Sequence, residues 1–231
     1  MPNNEKTIVP KRGDVSNFLA KVAKTPVIKS SGPVSHLLFA MDATASREST
    51  WDRACHLQGQ MFEATKGIGQ LSVQLAYYRG FNEFHSSRWH ESSTALLAEM
   101  SGVRCLGGYT QIDKVLQHAM KEHKQHPIRA LVFVGDAVEE DADALCHLAG
   151  KMGVMQIPLF MFHEGPNAAV KSVFQQMATL SGGAYAPFDL KSADELKDLL
   201  AAVAVFATGG RKALTRFSTN AAGLLGHQIR N

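Results

Sequence analysis

The chain has 231 residues, of which 45% are hydrophobic and 19% charged. This length suits one large domain or one domain with extensions, and the hydrophobic share suffices for a sizeable core. No stretch of 18 apolar residues occurs and the first residues lack an apolar signal segment, so we expect a soluble, cytoplasmic protein that does not enter a membrane. Three cysteines, with no Cys-x-x-Cys pair, argue against a disulfide framework and a zinc knuckle.

Positive charge is concentrated at the two ends of the chain. Residues 1–33 carry six Lys/Arg and two Asp/Glu, and residues 209–231 carry four Lys/Arg and no acid. The net charge is +3, so the ends contribute +8 and the middle −5. We therefore predict a basic N-terminal extension over 1–33, a folded domain over 34–208 and a basic C-terminal tail over 209–231, which begins with two glycines.

Buried strands alternate with amphipathic helices along the middle of the chain. Short apolar or β-rich runs predict strands at 35–41, 70–78, 81–89, 128–136, 156–162 and 183–188. Helical spacing of apolar residues predicts helices at 51–62, 92–100, 112–120, 139–152, 167–180 and 196–203. This alternation indicates an α/β fold, a doubly wound Rossmann-like sheet that is mostly parallel, with helices on both faces. The polar third strand is expected to be an antiparallel edge.

Three oxygen-bearing side chains follow the first predicted strand at alternate positions: Asp42, Thr44 and Ser46, separated only by alanines. Such residues also cap helices, and a helix is expected nearby. One cap needs one oxygen, however. In a short extended loop, alternate side chains point the same way, so the three oxygens could converge on a hard cation.

Two further segments carry oxygen ligands to the same place if the strand order is 3-2-1-4-5-6. Asp136 follows the fourth strand, which would lie beside the first where the strand order reverses, and ligands bind in that crevice. Thr110 follows a glycine pair and leads into a helix from the same edge. Distant parts of the chain would thus contribute five ligands.

These residues, in this order on strand ends, resemble the metal-ion-dependent adhesion site of von Willebrand factor A domains, and the resemblance covers about residues 34–208. It implies that Thr44, Ser46 and Thr110 bind Mg²⁺ or Mn²⁺ directly, with Asp42 and Asp136 binding directly or through water. It also implies an open position for an Asp or Glu of a protein partner, and an AAA+ ATPase as one such partner. Two departures are Thr44, where the family usually has Ser, and Ala137, where it often has Gly.

Two other classes of function remain as alternatives. Asp42 follows a strand and precedes Thr44 by two positions, an arrangement similar to that of haloacid dehalogenase-like phosphatases. Those enzymes need a second acid at the position of Thr44, and a hydroxyl cannot replace it. The basic ends could bind nucleic acid or an acidic partner, although basic and aromatic residues do not interleave there as in a stacking platform. The sequence therefore favours a non-enzymatic, cation-dependent protein-binding domain.

Overall fold

The computed structural model describes residues 17, 20, 21, 34–188 and 193–228, with side chains described up to residue 217. Nearly all of the predicted N-terminal extension, 1–33, lies outside the described residues, and so do the side chains of 218–231. The predicted domain, 34–208, is described except for a short connection at 189–192.

A six-stranded sheet forms the centre of the fold. Its strands are β1 (Val34–Asp42), β2 (Gln70–Arg79), β3 (Glu83–His90), β4 (Ile128–Gly135), β5 (Leu159–Glu164) and β6 (Ala184–Phe188). Their order is β3-β2-β1-β4-β5-β6, and only β3 runs antiparallel to its neighbour. The predicted strand order, parallel sheet and antiparallel edge are confirmed. We call the side where β1, β2, β4, β5 and β6 end the carboxyl edge.

The helices cover both faces of the sheet. They are α1 (Glu48–Leu57), α2 (Gly59–Thr65), α3 (Ser93–Ser101), α4 (Ile112–Glu122), α5 (Ala142–Val154), α6 (Ala168–Ser181) and α7 (Ala193–Gln228). The single helix predicted at 51–62 is two helices that meet at Gln58, whose buried side chain donates a hydrogen bond to the Ser93 carbonyl. Within the described part of the chain, no helix is long and apolar enough to span a bilayer.

The alternating side chains of β1 explain why helices are needed on both sides. Leu37, Phe39 and Met41 belong to one apolar cluster, which α1, α2, α3 and α7 complete. Leu38 and Ala40 belong to the other, which α4, α5 and α6 complete. All five side chains are at most 1% exposed, as expected for a parallel strand buried on both faces.

The C-terminal helix continues beyond the predicted domain boundary at 208. Gly210 interrupts it with φ 69° and ψ −166°, a conformation that a side chain would strain, so the glycine pair marks a kink. The chain then resumes a helix, and Leu214 is fully buried in the first apolar cluster with Phe217 packed against it. The prediction of a separate tail from residue 209 is therefore wrong for residues 209–217, because apolar residues beyond the kink reach the core.

Candidate functional site

The predicted ligands lie along the carboxyl edge of the sheet, at the point where the strand order reverses. Asp42 is the last residue of β1, and Asp136 directly follows β4, which pairs with β1. Thr110 lies two residues before α4, which starts at the same edge. Burial raises the pKa of Asp42, and the nearby negative charge of Asp136 adds to this shift. The two carboxylates predicted to converge are thus close enough to interact.

The loop from Asp42 to Ser46 is held by its own first carboxylate. One carboxylate oxygen of Asp42, Oδ1, accepts a hydrogen bond of 2.7 Å from the Thr44 amide. Thr44 Oγ1 lies 3.4 Å from Ser46 Oγ, so these two hydroxyls are neighbours, as the alternating pattern predicts. Neither Thr44, which precedes the short 3-10 turn Ala45–Arg47, nor Arg47, which precedes α1, makes a side-chain capping bond. The structure therefore does not support the helix-cap interpretation of this loop.

The second oxygen of Asp42 is buried without a partner. Asp42 is 1% exposed, and its Oδ2 accepts no hydrogen bond from any group in the described residues. Tyr78, its neighbour on β2, is fully buried, and its hydroxyl also lacks a hydrogen-bond partner within the described residues. Burial, the Asp42 charge and the interaction with the Asp42 side chain raise the pKa of this hydroxyl well above the usual value. Because a buried carboxylate oxygen without a hydrogen bond is costly, this atom calls for a partner such as a cation.

Thr110 is bound by an acidic pair in the loop after β4. Its hydroxyl donates to Glu140 Oε2 at 2.5 Å and accepts from the Glu139 amide at 2.9 Å. Glu139 also accepts from the Thr110 amide, and Glu140 from the Ile112 amide at the start of α4. A hydroxyl has two lone pairs, so Thr110 Oγ1 retains one that can bind a cation. The two glutamates fix its position and add negative charge.

A buried arginine follows the Asp-Thr-Ser loop directly. Arg47 is 2% exposed, and its Nη1 lies 3.4 Å from Asp136 Oδ2. Its Nη2 lies 2.5 Å from Oε2 of Glu164, the last residue of β5, which also accepts from the Thr50 hydroxyl. The arginine thus supplies one positive charge among the carboxylates of this edge.

The site residues predicted from the sequence did not include Arg47, Glu139, Glu140 or Glu164. Glu164 could have been found by the rule that identified Asp42 and Asp136, since it ends an apolar parallel strand at the same edge. A charged residue immediately after the Asp-Thr-Ser loop was the signal for Arg47. The roles of Glu139 and Glu140 depend on where their loop contacts α4, and this contact cannot be predicted from the sequence.

Four of the five predicted residues have oxygen atoms suited to a small hard cation. Asp42 Oδ2 lacks a partner, Thr110 Oγ1 keeps a lone pair, and the Thr44 and Ser46 hydroxyls are adjacent. Asp136 is the exception, because Arg47 already pairs with it, so a cation would share or replace that contact. Nowhere in the described residues do three His, Cys, Asp or Glu side chains form a metal-binding group, so a cation here would depend on hydroxyl ligands.

The topology defines a doubly wound α/β domain with one antiparallel edge strand and a polar site at its switch point. No protein-family model and no curated protein sequence matches the chain. Solved structures do match, and they show that the chain has the fold of von Willebrand factor A domains, as the resemblance implied.

Three of these structures illustrate the likeness. A von Willebrand factor type A protein from Catenulispora acidiphila has a TM-score of 0.63 at 11% identity, over 77% of this chain and 43% of that one. The SpRpn10 VWA domain has a TM-score of 0.55 at 17% identity, over 72% and 93%. The vWF domain of the type V pili tip protein Mfa5 from Porphyromonas gingivalis has a TM-score of 0.56 at 9% identity, over 74% and 95%. At such low identity the likeness concerns the fold alone.

Proposed function

We propose that this chain is a protein-binding domain that holds Mg²⁺ or Mn²⁺ at the carboxyl edge and uses it to bind an acidic side chain of a partner protein. The observation that carries the proposal is the buried Asp42 Oδ2, which accepts no hydrogen bond within the described residues although it lies where doubly wound sheets bind ligands. A buried carboxylate oxygen in that position is suited to a cation.

Each candidate ligand has a distinct part in this proposal. Thr44, Ser46 and Thr110 offer neutral hydroxyl oxygens, and Asp42 and Asp136 offer the two charges that balance a divalent ion. When bound, the ion supplies positive charge and an open coordination position for an incoming carboxylate. Arg47 lies 3.4 Å from Asp136, so the ion would share or replace that contact.

The comparisons support the fold on which this proposal rests. The matched structures include a VWA domain of SpRpn10 and a domain of a pilus tip protein, so the same fold occurs in different proteins. The AAA+ ATPase implied by the sequence resemblance is one candidate for the partner of this chain, and its Asp or Glu side chains would be the groups bound.

We propose binding rather than catalysis because the second acid of the competing phosphatase chemistry is missing from its position. That chemistry uses an aspartate nucleophile and a second acid two positions later, where this chain has Thr44. Thr44 cannot donate or accept a proton near neutral pH as a carboxyl group does. Hydrolysis of a phosphate ester that is lost in Asp42→Asn would contradict this part of the proposal.

The experiment that tests the cation site compares two serines three residues apart. Ser46 is exposed and belongs to the candidate site, whereas Ser49 is exposed on α1. Calorimetry and thermal unfolding in EDTA, Mg²⁺ and Mn²⁺ measure binding to the wild type, Ser46→Ala and the matched control Ser49→Ala. Ion binding stabilises the fold by about 2.7 kcal/mol at a hundred-fold excess over Kd.

We expect millimolar Mg²⁺ or Mn²⁺ to raise the melting temperature of the wild type and of Ser49→Ala, and to raise it less in Ser46→Ala. Because both serines are exposed, neither substitution should change stability in EDTA by more than about 0.5 kcal/mol. An absence of Mg²⁺ and Mn²⁺ binding to the wild type at 10 mM would overturn the proposal.

A further inference from the structure

Three exposed apolar side chains lie beside the candidate cation site. Phe81 is 74% exposed, Tyr109 57% and Leu106 42%. Phe81 and Tyr109 contact each other edge to face, with ring centroids 5.4 Å apart. We call these three residues the aromatic rim. Phe81 lies between β2 and β3, and the other two lie in the loop before α4, so the aromatic rim joins two loops at the carboxyl edge.

The two loops of the aromatic rim are held in place by backbone contacts. The Tyr109 amide donates to the Gly80 carbonyl at 3.2 Å, and the Leu106 amide donates to the Ala43 carbonyl at 3.1 Å. A Cβ at Gly108 would lie 1.8 Å from the Gly80 oxygen, so only glycine permits this approach. The aromatic rim is therefore preorganised, which reduces the entropy lost on binding.

The aromatic rim is continuous with the candidate site on both sides. Leu106 is bonded to Ala43, which lies between Asp42 and Thr44, and Tyr109 is adjacent to Thr110. The aromatic rim and the candidate ligands are thus neighbours, both along the chain and through a backbone hydrogen bond.

One positive charge lies directly beside the aromatic rim. Lys114 Nζ lies 2.5 Å from Asn82 Oδ1 and 2.7 Å from Gln111 Oε1, both neutral amide oxygens, so these contacts leave its positive charge unbalanced. Of the nearby carboxylates, Glu83 pairs with Arg79, whereas Glu139 and Glu140 accept hydrogen bonds only from neutral groups and keep their negative charge. Lys114 is thus the charge beside the exposed rings that favours a negatively charged segment.

We propose that the aromatic rim binds an apolar side chain of the partner, so that the recognised segment carries an Asp or Glu with an aromatic or large aliphatic residue one or two positions away. This inference rests on the proposed function, because the acidic residue of the segment is the one bound at the cation site. The cation site alone gives no preference for the residue next to the acid, and the aromatic rim would supply that preference.

Three synthetic peptides test the inference on the full chain. The peptides are acetyl-Gly-Gly-Asp-Phe-Gly-Gly, the same peptide with Ser in place of Phe, and the same with Asn in place of Asp. Each is titrated in 10 mM Mg²⁺ and in EDTA while the backbone amide signals are followed by nuclear magnetic resonance. The variant Phe81→Ser/Tyr109→Ser removes the rings. Val154→Ser is the matched control, since Val154 is 87% exposed at the end of α5, at the opposite edge of the sheet.

In Mg²⁺, the Asp-Phe peptide should bind about tenfold more tightly than the Asp-Ser peptide, as expected when roughly 55 Å² of apolar surface is removed from water. It should shift the amides of residues 80–82 and 106–110. Phe81→Ser/Tyr109→Ser should abolish the tenfold preference, and Val154→Ser should retain it.

The outcomes separate this inference from the proposed function. Equal Mg²⁺-dependent binding of the Asp-Phe and Asp-Ser peptides would overturn the inference and leave the cation site standing. Equal binding of the Asp-Phe and Asn-Phe peptides to the rings, unchanged in EDTA, would support an apolar surface but overturn the pairing with the acid. Binding of none of the three peptides at 10 mM would overturn the inference, whatever calorimetry shows for Mg²⁺ alone.

Discussion

Arg47 and Asp136 form an ion pair at the carboxyl edge of the sheet, with Nη1 of the arginine 3.4 Å from Oδ2 of the aspartate. The guanidinium is nearly inaccessible to solvent, and its Nη2 lies against Glu164. One of the five candidate cation ligands therefore already has a positively charged partner from the chain. Arg47 should both stabilise the fold and limit how strongly Asp136 attracts a metal ion.

Replacing Arg47 with methionine should lower stability and increase the response to Mg²⁺. In EDTA, Arg47→Met leaves Asp136 and Glu164 without their cation, which should reduce the free energy of unfolding by about 3 kcal/mol. Because a bound ion can then neutralise Asp136, Mg²⁺ should raise the melting temperature more in the variant than in the wild type. Urea unfolding followed by circular dichroism, with and without Mg²⁺, measures both effects.

The control for this substitution is Arg88→Met, at an exposed position on β3. Exposed positions usually change stability by less than about 0.5 kcal/mol. Similar losses in Arg47→Met and Arg88→Met would show that the buried ion pair contributes little.

Replacing Glu140 with glutamine should loosen the start of α4. Glu140 accepts from the Thr110 hydroxyl and from the Ile112 amide through its two oxygens, and glutamine has only one oxygen that can accept. We expect Glu140→Gln to cost about 1–2 kcal/mol and to speed hydrogen exchange at the Ile112 amide. Asp143→Asn is the control for the change in charge alone, because Asp143 is exposed in the first turn of α5. Unchanged exchange at Ile112 in Glu140→Gln would contradict the contact.

Shortening Leu214 should destabilise the whole domain. Leu214 is fully buried beyond the Gly210 kink, so Leu214→Ala removes core contacts and should cost about 2–4 kcal/mol. Leu180→Ala, at a residue 48% exposed, should cost much less. Thermal unfolding of both variants checks the expectation. Equal melting temperatures of the two variants would indicate that residues 209–217 form a separate tail.

Acid should destabilise the protein in part through His163. Burial lowers the pKa of His163 from 6.5 to about 4, so the folded state holds this ring neutral while the unfolded chain binds a proton below pH 6.5. The unfolded state then binds more protons, and the stability contributed by the neutral ring is lost as pH falls from 6.5 towards 4. Between pH 7.5 and 5 the loss should be about 2 kcal/mol.

His163→Asn isolates this effect, because asparagine does not titrate and its side-chain amide can still form a hydrogen bond with the Tyr185 hydroxyl, which lies 3.0 Å from His163 Nδ1. Urea unfolding across pH 5 to 7.5 should show a shallower loss of stability in the variant than in the wild type. Parallel curves would mean that His163 titrates alike in the folded and unfolded states.

Much of the fold was predictable from the sequence because the decisive signals are local. A strand buried on both faces, such as β4 with "ALVFV", must be continuously apolar, and an amphipathic helix shows its period over a few turns. Alternation of the two indicated a parallel sheet, and the strand ends located Asp42 and Asp136. The spacing of Thr44 and Ser46 indicated neighbouring hydroxyls, and these lie 3.4 Å apart.

The contacts between distant segments were decided only by the tertiary structure. Thr50 and Glu164 are 114 residues apart and meet through a hydrogen bond, with Arg47 on the same carboxylate. Leu214 lies beyond a glycine pair that ends a local helical pattern, yet it packs in the core. Periodicity and capping report only on neighbours along the chain. The partner of a buried charge, or the side on which a kinked helix resumes, depends on how the sheet and its helices pack together.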